Sequence, residues 1–337
     1  MQLPSFISKL IKRTPAKPEP LMRQPRIGLA LGCGGAKALV HMGVIKVLED
    51  HDIPIHAVSG CSMGAYVGAL WASGMSADEM IHLAAEMRDK DSFKKLADPA
   101  IPPIKGLFYG HKLKDHLENA IGNPKIEELD RKFIAIAANL ENYQRVVFNS
   151  GCLLEAVHAS CAMPGIIVPV EVNGIRCVDG GVVDPVPVSV LKKYTDVDYI
   201  IAVSTTPTLD DLDSDEAVEA VVLANEQDDS DSASAWIKSK ISSLGKKYNP
   251  VAKGNMLDTL RRSLKAAQIR IAHDACKKAD VAIFPVCMNS AWNEYERYEY
   301  FISLGAKETL AALDQIKALT MPIQETISKL KTPPSES

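Results

Sequence analysis

The stretch Ile55-His56-Ala57-Val58-Ser59-Gly60-Cys61-Ser62-Met63-Gly64-Ala65-Tyr66-Val67 contains the turn around which the chain is organised. Ile55, Ala57 and Val58 read as the end of a short buried strand, and Ala65, Tyr66, Val67, Ala69, Leu70 and Trp71 as a helix that stops at Gly74. Between them, Gly60-Cys61-Ser62-Met63-Gly64 is a G-x-S-x-G pentapeptide. Its two glycines leave no Cβ to block a sharp strand-to-helix turn. Such a turn lifts the Ser62 hydroxyl above a helix N-terminus, where N–H groups and the helix dipole favour negative charge. A serine held this way is suited to nucleophilic attack; an ordinary Gly/Ser turn is the competing reading of the same residues.

Upstream, Ile27, Leu29, Ala30 and Leu31 read as a buried strand, followed by the loop Gly32-Cys33-Gly34-Gly35-Ala36-Lys37 and a helix over 38–50. Strand, glycine loop and helix together form a backbone nest for an anion. A dinucleotide pyrophosphate, a nucleotide phosphate or the oxyanion of an acyl-transfer intermediate would each suit it. Gly32 and Gly34 fit the first two glycines of G-x-G-x-x-G, but Lys37 stands at the third position and the G-K-[ST] ending of a phosphate loop is absent. The oxyanion reading needs only N–H donors, and Ser62 follows close downstream.

Beyond the Ser62 helix, Ser76-Ala77-Asp78-Glu79 is a capping box opening a helix through Met87. Pro99, Pro102 and Pro103 mark a loop ahead of Gly106-Leu107-Phe108, expected at the mouth of the site, and a helix follows over 111–121. Strands are predicted over 133–138 and 145–148, then a helix from 153 that ends before Pro164-Gly165. A short strand over 175–178 leads into Asp179-Gly180-Gly181. This is either a carboxylate presented on an open turn or a plain D-G turn. A strand over 199–204, a helix over 255–278, a strand over 281–286 and a helix over 303–318 complete the pattern.

With 337 residues, 47% hydrophobic and 24% charged, the chain has room for one large α/β domain with additions and is not collagen-like, disordered or disulfide-rich. A net charge of -4 provides no overall basic field for nucleic acid. Seven cysteines, an odd number without a C-x-x-C pair, point to a reduced, cytoplasmic protein. No run nears the roughly 18 to 20 apolar residues of a membrane span, so the protein is expected to be soluble or peripheral. Residues 1–25 form a basic, proline-rich extension in which Leu3, Phe6, Ile7, Leu10 and Ile11 share one helical face and Lys9, Lys12 and Arg13 the other. That pattern suits a helix lying on an anionic membrane, or one docked on its own domain. Ten acidic residues and no basic ones between Asp210 and Asp231 mark an insertion over 210–245, and 321–337 reads as a tail.

Ser62 needs a base. Of eight histidines, only His273 lies after Asp179, in a helical stretch with Arg270, Lys277 and Lys278, where a solvated or packed histidine is the simpler reading. The alternative is Asp179 itself. A free carboxylate titrates near 3.9, so the site would have to desolvate it and supply strong N–H donors, which Gly34 and Gly35 provide. Lys37 would add positive charge or hold the loop.

The glycine loop, the G-x-S-x-G elbow, Pro164-Gly165 before a strand, and Asp179-Gly180-Gly181 followed by Pro185-Val186-Pro187, in this order, resemble the patatin-like phospholipases. The short bacterial members related to the neuropathy-target-esterase branch are the nearest in pattern. The resemblance covers residues 26–195, is weaker at Gly106-Leu107-Phe108 and Ala159-Ser160, and fades through the acidic insertion. It implies an α/β fold, a three-layer sandwich with a central, mostly parallel sheet, whose C-terminal part, 196–320, completes the same domain. It also implies a cofactor-free and metal-free Ser/Asp dyad cleaving carboxylic esters of lipids, of phospholipase A or lysophospholipase type. With the amphipathic N-terminal pattern, the net charge and the incomplete glycine fingerprints, the expected setting is the inner face of a membrane, without nucleotide or nucleic acid. Carried onto this sequence, Ser62 is the nucleophile, Asp179 the base, and Gly34, Gly35, Ala36 and Lys37 the oxyanion donors. Gly60 and Gly64 shape the elbow, and Gly180 and Gly181 the acid-bearing turn.

Two positions depart from the family pattern. Cys33 and Ala38 replace the first and last glycines of the loop, and a left-handed Cys33 would cost about 1 kcal/mol or more. Asp184 stands where the family commonly has Asn, and a second carboxylate nearby would raise the Asp179 pKa further. A lipid- or acyl-binding regulatory protein with little turnover on the same fold is the alternative function, and a nucleotide-binding domain is a third.

Overall fold

The computed structural model describes residues 22–86, 88, 96–212, 256–288 and 290–324. The expected amphipathic segment over 1–13, the acidic insertion beyond 212 and residues 325–337 of the tail lie outside the described residues.

Ten strands are described: β1 Met22–Arg23, β2 Ile27–Leu31, β3 Ile55–Cys61, β4 Lys132–Asn139, β5 Arg145–Phe148, β6 Val170–Val172, β7 Ile175–Asp179, β8 Tyr199–Val203, β9 Val281–Ile283 and β10 Ile323–Gln324. The helices are α1 Val40–Asp50, α2 Met63–Ala72, α3 Ala77–Ala85, α4 His111–Ile121, α5 Leu153–Ser160, α6 Val188–Tyr194, α7 Leu209–Leu212, α8 Met256–Cys276, α9 Tyr298–Ala311 and α10 Leu313–Ala318. Strands β4, β3, β2, β8 and β9 are mutually parallel and form the centre of the main sheet, with β5, β6 and β7 joined antiparallel beyond them.

All five residues of β2 are buried and none is polar, as expected of a strand covered on both faces. Leu29 and Leu31 face a core shared with α1, α2 and α9, while Ala30 faces a second core with Leu191 of α6 and Ala272 of α8. These two cores on opposite faces make the three layers. Helices α1 and α9 cross at near backbone contact: a Cβ on Gly43 would lie 1.9 Å from the Ile302 carbonyl oxygen.

Several predicted boundaries shift. The helix expected from 38 begins as a 3-10 turn over Gly35–Leu39 before α1, and the helix expected over 303–318 starts at Tyr298 and divides at Ala312. Helix α6 was not among the expected elements: its valines favour strand and Pro185 and Pro187 favour turns, although a proline suits the entry to a helix. The segments read as extension and tail also meet: β1 pairs antiparallel with β10, and Arg23 grips Asp198 through two hydrogen bonds of 2.6 and 2.7 Å.

The capping box of α3 is formed, Ser76 Oγ accepting from the Glu79 N–H and Glu79 Oε2 from the Ser76 N–H at 2.8 Å. Ser76→Ala is expected to lower stability by about 1 kcal/mol in urea unfolding, with the slope of the transition unchanged.

Candidate active site

Strand pairing brings Ser62 and Asp179 together. β4 uses one edge for β5 over Ala135–Ala138. On its other edge it pairs first with β3, ending at Cys61↔Ile136, and then with antiparallel β7, ending at Asp179↔Ala137. The C-terminal ends of β3 and β7 therefore meet head to head beside β4, and the first residue past β3 is Ser62.

Ser62 has φ 56° and ψ −130°, a left-handed conformation for a residue with a Cβ, which costs on the order of 1–3 kcal/mol. The packing behind it holds that geometry. A Cβ on Gly64 would fall 2.4 Å from the Gly32 carbonyl oxygen, so only glycine lets the elbow press against the glycine loop. The Ser62 N–H donates to Ser160 Oγ at 2.9 Å, and α2 starts at the next residue, its first N–H groups and dipole directed toward the elbow.

Asp179 is 4% exposed. Its carboxylate accepts from the Ser62 hydroxyl, from the Gly181 N–H at 2.7 Å and from the Cys61 thiol at 3.8 Å. Desolvation nevertheless dominates and pushes its pKa up to about 6, the three hydrogen bonds opposing the shift. The expected contribution of Asp184 is not found. Asp184 is buried in an ion pair with Arg145, which also reaches Ser189 Oγ at 2.7 Å, and Asp179 is shifted by burial instead.

The glycine loop is anchored at several points. The Cys33 N–H donates to the Pro185 carbonyl at 2.9 Å, and the Cys33 carbonyl accepts from Thr205 Oγ1 at 2.6 Å. Cys33 is outside the left-handed region, so the strain considered for its Cβ is not present; the loop's left-handed residue is Gly35, φ 58°. There a Cβ would also strike the Trp292 carbonyl oxygen at 2.5 Å. Beneath the loop, His41 Nε2 meets the Gly32 carbonyl at 2.8 Å, and complete burial lowers its pKa to about 4.

Of the four expected oxyanion donors, Ala36 is withdrawn: its N–H goes to the Trp292 carbonyl at 2.7 Å. Lys37 serves as a strut, its Nζ donating to the Cys287 carbonyl at 3.1 Å. Among the described residues, the Gly34 and Gly35 N–H groups have no protein acceptor.

A cavity of about 430 Å³ opens over Ser62, Asp179, Gly34 and Gly35. Gly106-Leu107-Phe108 is not its mouth. Leu107 and Phe108 are buried against Ile166 and Met163, and both their N–H groups bond the Ile166 carbonyl, so they brace the turn whose Met163 and Pro164 line the cavity. The outer wall comes from the residues after β8, from α7 and α8, and from Cys287–Trp292 around the undescribed residue 289. His273 is not among the lining residues. Ser160 entered the sequence reading only as part of a weaker resemblance, without a role, and Thr205 and Trp292 not at all, because each meets the site across about 90 residues or more of chain, without a local motif. Among the described residues, no helix is long and apolar enough to cross a membrane.

Residues 29–192 match the family model described as patatin-like phospholipase. An uncharacterized NTE family protein of Mycobacterium tuberculosis is 38% identical over 180 residues, 53% of this chain and 49% of that protein. Lysophospholipase NTE1 of Meyerozyma guilliermondii is 29% identical over 184 residues, 54% of this chain and 13% of that protein. The matched segment thus spans about half the length of the mycobacterial relative and a much smaller share of the second. Among solved structures, VipD from Legionella pneumophila covers 94% of this chain and 74% of its own at 11% identity, with a TM-score of 0.41.

Proposed function

We propose that this chain, whose residues 29–192 match the patatin-like phospholipase family model, hydrolyses carboxylic esters of lipids, in the manner of a phospholipase A or lysophospholipase, through a Ser62/Asp179 dyad. Ser62 Oγ attacks the ester carbonyl while its proton passes to Asp179. The tetrahedral oxyanion is received by the Gly34 and Gly35 N–H groups, and the departing alcohol takes the proton from Asp179. Water then repeats the sequence on the acyl-serine. The basic, amphipathic pattern of residues 1–13 suits delivery of this chemistry to a membrane surface.

The observation that carries the reading is the Ser62 hydroxyl donating to an enclosed carboxylate whose pKa of about 6 suits a base working near neutrality. A fluorophosphonate probe is expected to label the wild type and not Ser62→Ala, and Ser62→Ala should lose about a thousandfold or more of the hydrolysis of a short p-nitrophenyl ester. His273→Ala should stay within about twofold of wild type. Folded wild-type protein that takes no label would overturn the hydrolase reading in favour of lipid binding without turnover.

A further inference from the structure

Two thiols meet at the dyad. Cys61, the last residue of β3, directly precedes Ser62, and its Sγ donates to Asp179 Oδ1 at 3.8 Å. The Cys33 thiol of the glycine loop is within hydrogen-bonding reach of the same sulfur, and both side chains pack beside Ile134, Ile136 and Val190. Strand pairing brings them together. β2 and β3 are parallel neighbours in register as far as Leu31↔Gly60, and the Gly32 N–H carries the ladder one residue further, to the Val203 carbonyl at 2.9 Å. Cys33 therefore leaves β2 beside the end of β3, one residue out of step with Cys61. Strands about 4.8 Å apart and an offset of about 3.3 Å separate such Cα atoms by roughly 6 Å, within the range of about 4.4–6.8 Å that a disulfide spans.

The two sulfurs have different surroundings. Cys33 is half-buried and lines the cavity, whereas Cys61 is fully buried. Burial pushes the Cys61 thiol up, so it keeps its proton until a base takes it, and Asp179 is the base already in contact. The acid-bearing turn touches the pair as well: a Cβ on Gly181 would lie 3.1 Å from Cys33 Sγ and 3.0 Å from Asp179 Oδ1. Of the other five cysteines only Cys152 is not buried, and its Sγ bonds Asn123 Oδ1 at 3.3 Å.

We propose that Cys33 and Cys61 form an oxidisable pair, closed to a disulfide by a peroxide entering the cavity and reopened by a dithiol, and that closure stops the acyl chemistry of Ser62. With hydrogen peroxide, the Cys33 sulfur attacks the O–O bond and becomes a sulfenic acid while one water leaves. Cys61 Sγ then passes its proton to Asp179 and displaces hydroxide from the Cys33 sulfur. The hydroxide takes that proton and leaves as the second water, so the pair loses two electrons and the peroxide gains them. A dithiol returns them by exchange. Drawing the sulfurs to a bonded distance of about 2.05 Å pulls Cys33, and Gly34 after it, toward the elbow, and it removes the Cys61 donor from Asp179. The effect on Ser62 rests on the hydrolase reading; formation of the disulfide does not.

The test uses the full chain carrying Cys152→Ser, exposed to hydrogen peroxide with and without later dithiothreitol. The intact mass is expected to fall by two hydrogens, and a non-reducing tryptic digest to contain residues 27–37 joined to 47–88. Fluorophosphonate labelling and ester turnover should fall in proportion to the joined fraction and return with dithiothreitol. Cys33→Ser in the same background should yield no joined peptides and should keep, after peroxide, the labelling it had before. Cys33→Gly serves if the serine variant loses its melting transition. Cys33 recovered unmodified, or only as sulfinic or sulfonic acid, would overturn the pair. Joined peptides with undiminished labelling would overturn the switch and leave the hydrolase reading intact. Joined peptides in folded protein that takes no label even when reduced would overturn the hydrolase reading, and the switch with it, while the disulfide assignment stands.

Discussion

Asp179→Asn is expected to abolish ester hydrolysis and, at the same time, to raise the melting temperature. The loss follows from removing the group that accepts the Ser62 proton and should reach about a thousandfold or more in kcat/KM. The gain follows from burial. Folded, the Asp179 carboxyl titrates at about 6, against an ordinary value of 3.8. Between those pH values the native state holds more protons than the unfolded chain, so stability falls as pH rises and the penalty is complete above about 6. It amounts to roughly 3 kcal/mol at most, from which the weaker hydrogen bonds of a neutral amide must be subtracted. A rise of a few degrees at pH 7.5 is expected, vanishing near pH 4.

His41 works in the opposite sense. Burial lowers its pKa from 6.5 to about 4, so its contribution is present above 6.5 and is lost as pH falls toward 4. The two slopes oppose each other in wild type over much of that window. In Asp179→Asn the opposing Asp179 slope is removed, and stability should climb with pH between about 4 and 6.5 more steeply than in wild type in urea titrations. Wild-type kcat/KM should in turn rise through about pH 6 to a plateau, because the base must be ionised. An unaltered melting temperature in Asp179→Asn at pH 7.5 would mean that the carboxylate is better solvated than its burial indicates.

Arg145→Ala is the second change with a large expected effect. Asp184 is 7% exposed, and burial raises its pKa against the pull of Arg145. Without the guanidinium, that carboxylate must take up a proton or draw water into the packed turn, and the expected loss is about 2–4 kcal/mol at pH 7. Arg145→Ala/Asp184→Asn should recover most of it, since a neutral amide needs no counter-charge. The single variant's deficit should also shrink in acid, where Asp184 is protonated. The Asp184 N–H bonds the Gly180 carbonyl at 2.9 Å, so a disturbed Asp184 reaches the turn that carries Asp179, and kcat should fall along with stability. Equal destabilisation of the single and double variants would show that Arg145 contributes packing and not charge.

Ser62 could be read from sequence because the elbow is a local device: two glycines, a serine and the change from strand to helix lie within one short stretch. Asp179 was readable as a carboxylate at a strand end, but its distance from Ser62 was not, since that depends on β7 running antiparallel along β4 and stopping where β3 stops. The two departures in the family pattern, at Cys33 and Asp184, raised questions that sequence could pose and not answer. The answers lie in Pro185 and Thr205, each more than 150 residues from the Cys33 they hold, and in Arg145, 39 residues before Asp184. Ala36 was counted as a donor because a loop motif does not reveal that Trp292, some 250 residues later, takes its N–H.

By itself, then, the sequence determined most of the order of strands and helices, the elbow, the glycine loop and the two side chains proposed to react, because these depend on backbone freedom and hydrophobic period over a few residues. The tertiary structure decided which N–H groups stay available, how far burial shifts Asp179 and what neutralises Asp184. Each of these is set by desolvation or pairing between segments about 40 to 260 residues apart, which no local pattern encodes.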